Sequence, residues 1–498
     1  MRTEILVNAT PPETRVALTE EGRLVEVFHE RRHHQGLVGN VYLGRVQRVL
    51  PGMHAAFISI GLDRQAFLYV EDAVSTALEL EIEAREAKPN GADWNSETSR
   101  PRIDDLLKEG QEIVVQITKD PLSGKGPRVT ANLSLPGRTL VYLPGARDVA
   151  ISRRITDEEE RERLRRILES WGGPGGYIAR TAAQGSSEMA LETDRGYLLG
   201  LAERLQKKSE RGTAPLLLHR ELDLPLRIVR DLGREDVAII RVDDEETHAR
   251  LTEFLKTACP PLVPRLDLDR DGEPLFDRFG IESEIESALQ SHVPLPSGGS
   301  VVIHQTEALV AIDVNTGKFV GRDALEETVH ATNLEAIPEI ARQIRLRDLG
   351  GLLVVDFIDM EDEGHRREIF EKFEAELARD RARTRLLPIS EFGLIEITRQ
   401  RSRGNLEKTL TRTCPICDGT GRVKTDLSMA LDLRRELEGV MALYSPGETV
   451  QVRVRPSLAA LADEEPALFT DLTEKTRVKL DFLADEGLSV SAYEVLRR

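Results

Sequence analysis

Residues 308–321 read ALVAIDVNTGKFVG, and residues 351–360 read GLLVVDFIDM. Each is a short apolar run that ends in an aspartate, Asp313 in the first and Asp356 in the second. Apolar runs of this length between turn signals read as buried strands. A helical stretch from Arg322 to Ile337 lies between them, so the rhythm is that of an α/β sheet. An ionised carboxylate at the end of a buried strand is costly unless a cation compensates it. If the two strands are neighbours, Asp313 and Asp356 converge, and such hard oxygen ligands describe a Mg²⁺ site that keeps several waters. Asn315, two residues beyond Asp313, shares its face and can donate to a bound phosphate. Asp359 points the other way in an extended chain and ranks below Asp356. Read as pattern alone, the aspartates could equally cap turns or pair with arginines. With a metal present, phosphoryl transfer is the chemistry that Mg²⁺ usually serves.

Outward from this pair, Pro338 fits the first turn of a second helix ending at Gly350–Gly351, and His365–Arg383 reads as another helix. Residues 381–412 carry Arg381, Arg383, Arg385, Arg399, Arg401, Arg403, Lys408 and Arg412 against Glu391, Glu396 and Glu407. That segment is +8 − 3 = +5 within a chain of net charge −18. Arg401 and Arg403, in RQRSRGN, fit a phosphate-backbone contact, or else a solvated face balanced by acidic residues upstream. Next comes TCPICDGTG, with Cys414 and Cys417 in a Gly-rich knuckle. Structural Zn²⁺ takes four ligands. The last histidine is His365 and Cys259 is far away in sequence, so two subunits each giving two thiolates would complete a tetrahedron and link a dimer. A redox pair or a vestigial pair are the other readings. A helix near Met429–Leu443 and a β-α-β-β tail from Glu448 to Arg498 follow.

Upstream, the first 35 residues read as strands around a Glu-Gly turn. Residues 36–128 show short strands with glycine breaks, the texture of a small barrel, interrupted by an acidic loop, 79–105. Phe57 and Phe67, on consecutive strands, with Lys119 and Lys125 later, fit an OB-fold surface where bases stack and phosphates are neutralised. Two phenylalanines in strands also fit a core, and His54 reads as structural. Residues 129–221 mix strands with a charged helix, Asp157–Ser170, followed by GGPGG. Residues 222–288 alternate strand and helix.

The chain has 498 residues, 40% hydrophobic and 31% charged, which describes a globular protein of about three or four domains. The acidic balance disfavours a histone-like polyanion binder but does not exclude a nucleic-acid enzyme, for which a patch matters more than a sum. No apolar run approaches the length of a membrane span, the N-terminus lacks a signal-peptide core, and three cysteines form no disulfide framework. A reducing cytoplasm is expected.

The run NLEAIPEIARQIRLRDLGGLLVVDFIDM (residues 333–360), with AIDVNTGKFVG upstream and CPICDGTG downstream, resembles the ribonuclease E/G family. The resemblance extends over nearly the whole chain, and the length and DVNTGKFVG resemble its shorter members. It implies an α/β and α+β multidomain protein: an RNase H-like subdomain (1–35 and 222–288) with an inserted OB-fold RNA-binding domain (36–128, of the ribosomal-protein-S-one type) and a 5′-sensor region (129–221), a DNase I-like catalytic subdomain (289–410), a zinc link (411–422) and a small oligomerisation domain (423–498). It implies an endoribonuclease that cuts single-stranded A/U-rich RNA to 5′-phosphate and 3′-hydroxyl ends, is stimulated by a 5′-monophosphate, and serves rRNA and tRNA processing and mRNA decay. By motif, Asp313 and Asp356 hold Mg²⁺ and Asn315 orients the scissile phosphate. Phe57, Phe67 and Lys125 grip RNA. Gly137, Val141, Arg153, Arg180, Thr181 and Arg383 form the 5′-phosphate sensor. Cys414 and Cys417 supply half of a shared zinc link in a homodimer or tetramer. A coordinated water, not the 2′-hydroxyl, is the expected nucleophile, so no histidine pair is needed, and none stands near these motifs in sequence. The acidic insertion departs from the family pattern and bears on the rim of the barrel. A non-catalytic RNA-binding assembly protein and a metal phosphoesterase on another substrate are the competing readings.

Overall fold

The computed structural model describes residues 2–31, 36–73, 102–121, 125–173, 175–233, 237–317, 325–390, 392–400, 404–490 and 492–496. The chain forms two compact units, Met1–Asn405 and Leu406–Arg498.

In the first unit, a five-stranded sheet has the order Leu266–Leu268, Val237–Val242, Thr3–Ala9, Glu13–Glu20, Arg23–Arg31. Glu21 and Gly22 make the last hairpin with φ of 51° and 78°, the left-handed pair that matches strand twist. Thr3–Ala9 runs parallel to Val237–Val242, so the two ends of this region share one core around Ile5, Leu18, Ile228 and Leu251, with Cys259 buried in it.

Between those ends lies a closed barrel of five strands: Val41–Leu50, Ala55–Ser59, Ala66–Tyr69, Glu112–Lys119 and Arg128–Thr130. Val41–Leu50 pairs with both Ala55–Ser59 and Glu112–Lys119, while Ala66–Tyr69 pairs in parallel with Arg128–Thr130. Closure needs Gly44, where a Cβ would stand 2.5 Å from Ile58 Cγ2. Of the expected acidic loop 79–105, only 102–105 fall within the described residues, and Ile103 there is fully buried in the barrel core. Beyond the barrel, the sheet Val149–Ile151, Gly176–Ala179, Leu140–Leu143, Leu135–Pro136 packs with helices Glu158–Ser170 and Glu188–Arg211. Asp157 caps the first helix, accepting from the Glu159 and Glu160 amides.

The sheet that carries the aspartates has six strands, in the order His292–Pro294, Ser300–Gln305, Leu309–Asn315, Gly351–Asp356, Leu394–Arg399, Thr384–Leu386. Leu309–Asn315 alternates: Val310, Ile312 and Val314 are buried, whereas Ala311, Asp313 and Asn315 are exposed. The expected buried strand is thus buried on one face only. Asp313 stands on an open face, so its charge is largely hydrated there. A correction concerns Pro338. One continuous helix, Leu325–Leu346, contains it. The missing hydrogen bond costs on the order of 3 kcal/mol, offset by Ala336, Ile337, Ile340, Ala341 and Ile344 packing into the core. The next helix, Glu363–Leu377, ends well before the expected Arg383.

The second unit has the helix Asp426–Met441 and a three-stranded sheet ordered Lys479–Ala484, Thr449–Val454, Glu494–Leu496. Two helices, Pro456–Glu464 and Ala467–Thr476, stand where one was expected, because Glu465–Pro466 interrupts the apolar period. Leu433, Leu437, Val450, Val452 and Leu472 form its core.

Candidate active site

Asp313 and Asp356 lie directly opposite one another across a parallel strand pair, at the C-terminal ends where α/β sheets place ligands. Asn315 Nδ2 donates to Asp313 Oδ2 at 2.8 Å, so the three expected residues come together. On its other side Asp356 pairs with Leu394. Partial burial and the charges of Asp313 and Asp359 hold the Asp356 carboxyl above the usual carboxylate range. Asp359 therefore belongs to the same patch of negative charge, although sequence spacing pointed it away. Among the described residues neither Asp313 nor Asp356 has a cationic partner, and no cluster of three or more potential ligands exists. Two converging carboxylates without a counter-charge suit a Mg²⁺ ion, which commonly takes one or two carboxylates and completes its shell with water and substrate phosphate. The fold also joins two histidines that sequence reading left apart. His330 and His365 stack at 3.9 Å, with Glu368 3.2 Å from the first and Glu326 3.2 Å from the second.

A cavity of about 900 Å³ lies elsewhere in the same unit, lined by Arg153, Arg180, Thr181, Asp231, Arg383 and Gln400 among others. Four of the six expected sensor residues thus face one space. The other two support it. The Gly137 carbonyl accepts from Arg180 Nη1 at 2.5 Å, and Val141 pairs with Ile178, which lines the cavity. Arg180 also lies 2.7 Å from Asp231 Oδ1. Burial acts to raise the Asp231 carboxyl, but Arg230 and Arg180 outweigh it and hold it low. Sequence reading missed both Asp231 and Asp194. The buried Asp194 accepts from the Arg138, Thr139 and Leu140 amides and from Thr139 Oγ1, at 2.8–3.1 Å. It fixes the loop that presents Gly137, where a Cβ would lie 2.4 Å from its carboxylate. A signal for it existed: Asp194 occupies the apolar stripe Leu191, Leu198, Leu201, Leu205 of its helix.

On the barrel, Phe57 and Phe67 are half-buried outside the core, with ring centroids 5.4 Å apart. Tyr69 extends the row at 4.6 Å from Phe67, and the Arg128 guanidinium lies 4.6 Å from the Tyr69 ring. Neither Tyr69 nor Arg128 was singled out from sequence, though Arg128 is the cross-strand partner of both Phe67 and Lys119. Lys119 and Lys125 are exposed. His54 is exposed at a left-handed turn, φ 50°.

The basic run divides. Arg401 and Arg403 lie outside the described residues. Arg399 is buried between Asp348 at 2.7 Å and Asp380 at 2.6 Å, so it is a structural strut and not part of a phosphate-facing stripe. Arg383 lies in the cavity already described, carried there because the helix stops early.

In the second unit Cys414 is exposed and Cys417 partly so. The Ile416 and Cys417 amides draw the Cys414 thiol below its ordinary pKa, and Gly421 N–H donates to Cys417 Sγ at 3.3 Å. Asp418, Gly419 and Gly421 adopt left-handed φ of 47°, 80° and 68°, which wraps amides around the sulfurs. The pair has the donor chemistry of zinc and half of its ligand count.

Strand-end carboxylates in a mixed sheet, a closed barrel with an aromatic row and an arginine-lined cavity thus stand in one chain. The chain belongs to the ribonuclease E/G family: the model of the "Ribonuclease E/G family" matches residues 134–402. Membership makes it an endoribonuclease of RNA processing. It is 42% identical over 467 residues to Ribonuclease G of Escherichia coli strain K12, which covers 93% of each chain. It is 41% identical over 449 residues to Ribonuclease G of Haemophilus influenzae, covering 90% of this chain and 89% of that one. With Ribonuclease E of Haemophilus influenzae the identity is 38% over 498 residues, 99% of this chain but 52% of the relative. No helix among the described residues is long and apolar enough to cross a membrane.

Proposed function

We propose that this endoribonuclease is Mg²⁺-dependent, cuts single-stranded A/U-rich RNA to 5′-phosphate and 3′-hydroxyl ends, and is stimulated by a 5′-monophosphate. The observation that carries the reading is the in-register pair Asp313 and Asp356 with Asn315 bonded to the first. A Mg²⁺ held by the two carboxylates supplies Lewis acidity and an activated water. Asp313 and Asp356 bind and orient, and Asn315 donates a hydrogen bond to the scissile phosphate. The barrel, read as the OB-fold domain, holds the single strand on Phe57 and Phe67, with Lys119 and Lys125 on the backbone. Arg153, Arg180, Thr181 and Arg383 clamp the 5′-phosphate by charge-assisted hydrogen bonds, with Gly137 and Val141 shaping the pocket. Arg401 and Arg403 add backbone contacts.

The same reading takes the N-terminal sheet as RNase H-like and the aspartate-bearing sheet as DNase I-like. Cys414 and Cys417 share a zinc ion with the same pair of a second subunit, giving a cytoplasmic homodimer or a tetramer. Matched RNA and DNA oligonucleotides carrying 5′-monophosphate or 5′-hydroxyl, assayed with and without Mg²⁺, test the function. The expected result is cleavage of RNA only, dependent on Mg²⁺ and faster with the phosphate. Equal cleavage of DNA, or undiminished cleavage in chelator, overturns it.

A further inference from the structure

The hairpin joining Thr384–Leu386 to Leu394–Arg399 stands at the rim of the acidic pair, because Leu394 is the register partner of Asp356. Its described residues bond to one another. Gly393 N–H donates to the Ser390 carbonyl at 3.0 Å, Ser390 N–H to the Leu394 carbonyl at 2.9 Å, and Leu394 N–H to Ser390 Oγ at 3.2 Å. Gly393 has φ 80°, a conformation costly for other residues, and a Cβ there would lie 3.5 Å from Asp359 Oδ1. The turn thus lies beside Asp359, in the loop that follows Asp356.

This turn holds Phe392 out in solvent. At 84% exposure it is the most exposed large apolar side chain among the described residues. It borders a recess of about 260 Å³, together with Phe357, Ile358, Asp359, Arg366 and Ile389. Arg366 is anchored there by its Nε, which donates to the Met360 carbonyl at 2.7 Å. The recess is just below the size range of small-molecule pockets and combines aromatic and aliphatic side chains with the opposite charges of Arg366 and Asp359. Every nucleobase offers a π-face, and single-stranded nucleic acid is held by such rings set beside cations.

We infer that Phe392 is a stacking platform for the base of one nucleotide flanking the scissile phosphate, with the recess beside Arg366 receiving that nucleotide. The inference rests on the reading of Asp313 and Asp356 as the cleavage site, and it gives that site a means of fixing the strand on the catalytic sheet itself, apart from the barrel.

The test is a cycle of single abasic substitutions across the cleavage site of a short 5′-monophosphate RNA, measured as kcat/KM with the parent, Phe392→Ala and Phe392→Trp. Stacking on one ring is worth roughly 5- to 150-fold. In the parent, one abasic position next to the cut lowers kcat/KM within that range. Phe392→Ala loses a similar factor on intact RNA, and shows no further loss on that abasic RNA, while Phe392→Trp restores cleavage of intact RNA. Because the side chain is exposed, the melting temperature of Phe392→Ala stays at the parental value. Cleavage of intact RNA by Phe392→Ala within about two-fold of the parent, or losses that multiply, overturns the platform and leaves the metal-site reading standing. A parent that cleaves no RNA overturns that reading, and the platform with it.

Discussion

The acidic pair and the arginine-lined cavity handle charge in opposite ways. At Asp313 and Asp356 like charges face each other, and Asp359 adds to the repulsion. Beside the cavity, opposite charges are already paired in a chain: Glu221 lies 2.6 Å from Arg230, Arg230 pairs with Asp231, and Asp231 lies 2.7 Å from Arg180. Among the described residues no cation is paired with either carboxylate of the first site. In the second, the Arg180 guanidinium is already held by a carboxylate, so on the proposed reading a phosphate would compete with Asp231 for it. On that reading the first site gains a charge and the second exchanges a partner.

The largest expected effect breaks the first site. Asp313→Asn keeps the shape and the bond to Asn315 but removes one of the negative charges. Loss of an outer-shell partner of a metal commonly costs 10- to 100-fold. Loss of a ligand should lower kcat/KM by at least about 100-fold, with RNA binding, measured by filter retention, nearly unchanged. Parental cleavage by this variant with Mg²⁺ would break the comparison at its root.

A compensated carboxylate should show its value in stability. Glu339 accepts from Arg342, Gln343 and Arg23 at 2.7–2.9 Å. Burial pushes it up, but these partners outweigh burial and hold it at about 2, from 4.5. Its folded pKa is depressed, so its contribution is present above 4.5 and fades as pH falls toward 2. The full term is bounded by (4.5 − 2) × 1.36, about 3 kcal/mol. Denaturant unfolding of the parent and Glu339→Gln should differ most above pH 4.5 and converge below. A constant difference across that window would remove the assignment.

Arg180→Gln tests the exchange directly. A hydrogen bond to a charged group contributes about 1.5–3 kcal/mol. The ratio of cleavage rates for 5′-monophosphate over 5′-hydroxyl RNA should therefore fall by roughly 10- to 150-fold, with 5′-hydroxyl cleavage largely kept. An unchanged ratio would show that the cavity senses nothing.

How legible each region was follows from the same contrast. Asp313, Asn315 and Asp356 could be read because their signal is local: an alternation of two residues and a charge at the end of an apolar run. Register did the rest. The cavity could not be assembled from spacing, because Arg153, Arg180, Asp231 and Arg383 come from four separate segments that only tertiary packing unites. Family resemblance supplied the arginines but not Asp231, which is one more acid in an acidic chain. Asp194 was overlooked although it interrupts a leucine stripe. Arg399 misled because a charge count does not distinguish a buried strut from a surface cation. Pro338 misled because local propensity was outweighed by a helix buried along most of its length. The barrel was legible from glycine breaks, but Arg128 over Tyr69 required knowing which strands close it.

The smallest expected effect is the most direct probe of the acidic pair. Asp356→Asn removes one of the facing charges where no cation among the described residues offsets them. In chelator, this variant should match or exceed the parent in stability, by up to about 1 kcal/mol, the scale of exposed charge interactions. With Mg²⁺ the order should reverse, because an ion that binds only the folded parent stabilises it by RT ln(1 + [L]/Kd). The parental carboxyl is held high when metal-free, so its ionised form carries the cost. That cost disappears as pH falls through its folded pKa, and the advantage of the variant should shrink with it. This is the opposite pH trend to that of Glu339. Melting curves at two pH values, with and without Mg²⁺, decide it. A variant less stable than the parent in chelator would mean that Asp356 is compensated after all, and that the two regions are alike.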